Sequence, residues 1–133
     1  MKKIVSTDRA PKAIGPYSQA VIDDMSRPGS RQLVFLSGQI AIDPSTGHVI
    51  QSDIAAQTER VLENIKAVLE AAGASFDSVL KTTVYLKDMD DFSKMNEVYG
   101  RYFKENPPAR STVQAAKLPR DVMVEIDAIA AVE

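Results

Sequence analysis

Val122-Met123-Val124-Glu125-Ile126-Asp127-Ala128-Ile129-Ala130-Ala131-Val132 is the stretch that decides the fold of this chain. Side chains alternate across a strand, so Val122, Val124, Ile126, Ala128, Ala130 and Val132 share one side. Met123, Ile129 and Ala131 lie on the other, with Glu125 and Asp127 among them. A strand that is apolar on both sides needs a cover on each face of its sheet.

The segments before it supply one of those covers. Ile54, Val61, Ile65, Val68, Leu69 and Ala72 recur at helical spacing, with Thr58 on the same face. Ser52 or Asp53 can cap this helix and Gly73 can close it. A second helix is predicted over about Asp91–Lys104, with an Asp cap, a buried side of Phe92, Met95, Tyr99, Tyr102 and Phe103, and a stop at Pro107-Pro108. Strands are predicted at Lys3–Ser6, Tyr17–Ile22, Leu33–Leu36, Thr82–Leu86 and near Ser111–Ala115, with a hairpin turn over Asp24–Arg31. Ala10–Pro16 reads as an irregular arm and Leu118-Pro119 as a turn.

The order strands, helix, strand, helix, strands gives an α+β fold. Crossover helices make the strands they join parallel, and hairpins add antiparallel members, so the sheet is mixed. Right-handed crossovers put both helices on one face. The other face is then expected to pack on a second copy of the chain.

At 133 residues the chain is read as a single domain, 1–133. It can bury roughly two-thirds of its unfolded surface. Its net charge of −2 and scattered basic residues argue against broad binding to nucleic acid or anionic membrane. With no cysteine there is no disulfide, thiol nucleophile or cysteine metal site. Neither a signal-peptide core nor a membrane span is apparent, and a cytoplasmic location is expected.

Chemistry-bearing residues are few. The one histidine, His48, sits in the turn-like run Asp43–His48 and reads as solvent-facing. Arg110, just after Pro107-Pro108, can hold a carboxylate by two parallel N–H bonds, or equally a salt bridge. Glu125, inside an apolar run, is a candidate proton-handling group, although a solvated or paired glutamate explains it as simply. Asp127 shares its side of the strand, which allows a paired-carboxylate reading or a pairing with lysine or arginine.

Several runs together resemble one known family. Ala10-Pro11-Lys12-Ala13-Ile14-Gly15-Pro16-Tyr17-Ser18-Gln19-Ala20 looks like the N-terminal signature of the RidA (YjgF) enamine/imine deaminases. Leu36-Ser37-Gly38-Gln39-Ile40, Lys81–Asp88 with Asn96, Ala109-Arg110-Ser111-Thr112-Val113, Leu118-Pro119 and Val124–Ala130 match its later motifs in order.

The resemblance implies a chorismate-mutase-like sheet with two helices on one face, and a homotrimer with clefts between subunits. It implies hydrolysis of 2-aminoacrylate, 2-iminopropanoate and 2-iminobutanoate to 2-keto acids and ammonia, without metal or cofactor. Arg110 would then hold the substrate carboxylate, and Glu125 would activate water and return a proton to the amine. Tyr17 would close the cleft or donate a hydrogen bond, Ser37 and Gly38 would approach the ligand, the Thr112 main chain would bond it, and Asn96 occupies a family position. Two features depart from the family: Thr112 stands where many members have cysteine, and the Asp23–Gln32 hairpin is longer. The rival readings are a carboxylate-sensing regulatory protein without turnover and a ribonuclease or translation inhibitor.

Overall fold

In the computed structural model, which describes residues 1–23 and 29–133, the C-terminal run becomes a central strand. The strands are β1 (Lys2–Val5), β2 (Ala20–Asp23), β3 (Gln32–Gln39), β4 (Val79–Leu86), β5 (Ala109–Gln114) and β6 (Val124–Val132). They form a six-stranded sheet in the order β1-β2-β3-β6-β4-β5. Among the described residues only β4 and β5 pair in parallel; β6 is antiparallel to both of its neighbours. The helices α1 (Ile54–Ala71) and α2 (Phe92–Tyr102) pack on each other over one face. The mixed α+β sheet covered on one side is therefore the architecture expected from the sequence.

Boundaries shifted where local hydrogen bonds override the pattern. The strand expected from Tyr17 begins only at Ala20, because the Tyr17 N–H turns back to the Gly15 carbonyl at 2.8 Å. The last strand begins at Val124, because a one-turn helix at Pro119–Asp121 takes up the chain before it. Asp53 caps α1, accepting from Ala56 N–H at 2.9 Å, and Gly73 closes it at φ +79°. Asp91 occupies the start of α2 but its side chain makes no cap bond; Asp88, three residues earlier, accepts from Asp90 N–H instead. The predicted Asp24–Arg31 turn and the extra hairpin length fall largely outside the described residues.

Burial follows the alternation. Val124, Ile126, Ala128 and Ala130 of β6 are buried beneath the helices with Val34, Leu36, Val84 and Leu86. On the other face Leu33, Phe35 and Val113 stay exposed, at 38%, 43% and 44%. Among the described residues no helix is long and apolar enough to cross a membrane.

Gln57, Thr58 and Asn64 are the polar side chains buried in α1, and Gln57 and Asn64 hold irregular chain in place. Asn64, fully buried, donates its amide to the carbonyls of Ile40 (3.2 Å) and Ile42 (2.9 Å). Gln57 donates to the Ile50 carbonyl and accepts from Met123 N–H at 2.9 Å. Buried carbonyls left without a donor are costly, so Asn64→Leu should lower the unfolding free energy by about 2–4 kcal/mol. Urea denaturation measures this; a change under about 0.5 kcal/mol would show that the two carbonyls find water instead.

Candidate active site

Glu125 stands on β6 on the face away from the helices, half-buried beside a cavity of about 290 Å³. The cavity walls are largely apolar: Ile14, Ile40, Ile42, Pro11 and Pro119 line it with Tyr17. Burial, and secondarily the Asp127 carboxylate, push the Glu125 pKa above its ordinary value. A shift in that direction favours the protonated carboxyl, which suits a group that accepts and later releases a proton.

A bulge in β3 brings the backbone to this carboxylate. The register slips between Leu36, opposite Ala128, and Gln39, opposite Ile126, so Ser37 and Gly38 are out of step with β6. A Cβ on Gly38 would overlap Glu125 Oε2 and come within 2.9 Å of its Cδ. The absent side chain at Gly38 is thus the space that the Glu125 carboxylate occupies. Gly38 also lines the cavity, so its backbone remains open to the close approach of a ligand expected from the sequence.

The irregular arm forms the far wall. Buried Gln19 ties it down: its carbonyl accepts from Thr7 N–H at 2.7 Å, and its amide donates to Thr7 and Pro11 carbonyls at 3.0 and 2.7 Å. Tyr17 lines the cavity, and its hydroxyl accepts from Ile14 N–H at 3.1 Å, leaving its own proton to donate. Ser37 lines the cavity too, but both its donors are committed, the hydroxyl to the Ser18 carbonyl and the N–H to the Gln19 carbonyl. Towards a ligand Ser37 therefore offers lone pairs only.

Arg110, Thr112 and Asn96 lie elsewhere. Arg110 is opposite Thr82 on β4, whereas Glu125 is opposite Tyr85. Three residues along β4 and one strand to either side place their Cα atoms roughly 14 Å apart, and the odd offset puts the side chains on opposite faces. The Arg110 guanidinium stacks over Tyr99 (4.7 Å to the ring centroid) and Phe92 (5.5 Å) of α2. Among the described residues it makes no ion pair. Helical spacing places Asn96 on the same stripe as Phe92 and Tyr99, beside the arginine. Asn96 Oδ1 and Thr112 Oγ1 are both buried without a hydrogen-bond partner among the described residues. The guanidinium and the two oxygens thus leave hydrogen-bonding capacity unused on this side of the sheet.

The structure thus divides the candidate residues into two groups: Glu125, Gly38, Ser37 and Tyr17 on the open face, and Arg110, Asn96 and Thr112 on the helix face. His48 is exposed in its turn, as expected. Among the described residues no cluster of His, Cys, Asp or Glu could hold a metal ion. Sequence reading missed Gln19, Gln57, Asn64 and the ring stack on Arg110. A signal for two of them existed: Gln57 and Asn64 are polar residues seven apart on an apolar helix face.

A mixed sheet covered by two helices, with a small apolar-walled cavity beside the half-buried Glu125 carboxylate, defines the class of α+β protein to which the chain belongs. The chain belongs to the Endoribonuclease L-PSP family, whose model matches residues 7–132. This is the RidA (YjgF) family that the sequence motifs resemble. A RutC family protein of Pyrococcus horikoshii is 56% identical over 98% of both chains. Human 2-iminobutanoate/2-iminopropanoate deaminase is 44% identical, over 98% of this chain and 90% of its own length. Among solved structures, E. coli TdcF with bound serine is 46% identical, with a TM-score of 0.87 over 98% of this chain and 99% of the other.

Proposed function

We propose that the protein is an enamine/imine deaminase that hydrolyses 2-aminoacrylate, 2-iminopropanoate and 2-iminobutanoate to 2-keto acids and ammonia. The observation that carries this reading is the split site: a free arginine on one face and a proton-carrying glutamate on the other. Each half is complete only when a second copy supplies its complement. The assembly proposed is a homotrimer in which the open face, with exposed Leu33, Phe35 and Val113, meets the Arg110 side of a neighbour. The named activity of the human relative supports the chemistry, and the serine bound to TdcF, an amino acid with a free carboxylate, supports the ligand class.

Arg110 of one subunit holds the substrate carboxylate bidentately, with Asn96 and Thr112 taking remaining donors on the ligand or its water. An enamine substrate first gains a proton at C3 and loses one from nitrogen, becoming the imine. Water then adds to C2 while Glu125 of the facing subunit takes its proton. Glu125 returns that proton to nitrogen, giving the carbinolamine; the hydroxyl proton then passes by way of Glu125 to the amine as the C–N bond breaks, and keto acid and ammonia leave. Imines hydrolyse in water unaided, so positioning and one proton carrier suffice. No cofactor or metal is required, and a cytoplasmic setting is proposed with it.

Measuring 2-keto acid release while 2-aminoacrylate is generated in situ tests the reading. Wild type should accelerate release and Arg110→Ala should lose the acceleration by on the order of 10²-fold, the worth of two charge-assisted bonds. Absence of acceleration, with small carboxylates still binding through Arg110, would favour the sensing role instead. That second reading has one observation behind it, since TdcF holds serine as a bound ligand. The ribonuclease reading, which the family description carries, meets a net charge of −2 and a lone exposed histidine.

A further inference from the structure

Asp127 is a carboxylate that the proposed mechanism leaves unused. It lies one pleat beyond Glu125 on the same face of β6. On β4, Tyr85 is directly opposite Glu125 and Thr83 opposite Asp127. Tyr85 does not bond the glutamate it faces; its hydroxyl donates diagonally to Asp127 Oδ2 at 3.2 Å. Among the described residues Asp127 makes no ion pair. A neutral donor thus fixes this carboxylate while leaving its charge uncompensated.

The surroundings of Glu125 offer little else of that kind. From β3 it meets Gly38 and Gln39, neither ionisable. From the arm, Lys12 and Tyr17 line the same cavity. From the turn before β6 comes Pro119, whose neighbour Arg120 is turned away to the Gly47 carbonyl. From β4 comes Tyr85, whose own pKa is raised by burial, then by Asp127, so it stays a donor.

We propose that Asp127 is a positioning residue for the reaction: a charge fixed by Tyr85 beside Glu125, which makes that carboxyl a better carrier of the proton passed from water to the departing nitrogen. This rests on the reading of Glu125 as the proton carrier. The raised pKa of Glu125, to which Asp127 contributes after burial, agrees with it. Because the charge favours the protonated form, Asp127→Asn should let Glu125 ionise at lower pH.

The test is a carboxyl ¹³C NMR titration of Glu125 in the ligand-free protein, paired with the pH profile of kcat/KM. For Asp127→Asn the Glu125 midpoint should fall by roughly one pH unit, as for a unit charge about 7 Å away. The acid limb of the profile should fall with it, and Asp127→Glu should restore both. Tyr85→Phe, which keeps the charge, should move the midpoint far less. A midpoint unmoved in Asp127→Asn, or moved equally by Tyr85→Phe, overturns the proposal while leaving the deaminase reading intact. Absence of turnover by the wild type overturns both.

Discussion

Co-expressed in equal amounts, Arg110→Ala and Glu125→Gln chains should recover about one quarter of wild-type deaminase activity, although each variant alone is nearly inactive. Each single substitution is expected to lower kcat/KM on the order of 10²-fold or more, one by removing the carboxylate anchor and the other the proton carrier. Yet the two residues lie on opposite faces of one sheet, so each variant chain retains one intact half-site. A site between subunits is whole when an Arg110→Ala chain presents its glutamate and a Glu125→Gln chain its arginine. Random assembly makes each condition true about half the time, hence about one quarter of sites. Assaying the unfractionated mixture makes the measurement; purification of differently tagged chains through both tags removes the homotrimers, and the mixed trimers should then show about one third. Activity no higher than in the separate variants would place both residues in separate functions and remove the shared site.

Gly38→Ala is expected to abolish turnover with little loss of stability. The added methyl would occupy the position of the Glu125 carboxylate. The backbone at Gly38 is not left-handed, so alanine meets no conformational strain there. The effect therefore falls on Glu125, which must leave the bulge and with it the cavity. A loss approaching that of Glu125→Gln, on the order of 10²-fold, is expected in kcat/KM. Thermal melts should shift by only a few degrees, since the neighbouring core faces the other way. A variant that keeps its rate would show that Glu125 works from another rotamer.

Much of the fold was legible because alternation and helical spacing survive without knowledge of contacts. Ile54–Ala71 and the last strand are long and strongly periodic, so their faces could be assigned residue by residue. The ends were less legible. Tyr17–Gln19 look like strand by composition, but the Tyr17 N–H turns back to the Gly15 carbonyl. Asp91 looks like a cap, but Asp88 does the capping of the preceding turn. In both cases the boundary depends on a local hydrogen bond, to a carbonyl two residues back in one and to a neighbouring carboxylate in the other, which the residue pattern does not display.

The sequence by itself determined the class of fold, the apolar character of both faces of the last strand, and the two residues, Arg110 and Glu125, with chemistry to offer. Their motif context also determined the family. Only the tertiary structure decided that these two residues stand on opposite faces, that the missing side chain of Gly38 makes room for the Glu125 carboxylate, and that Asp127 is held by Tyr85. The physical reason is that a side chain's face follows from its own strand's alternation. Which residue it opposes depends instead on register, and register here is set by a bulge in β3 and by pairing between strands distant in sequence.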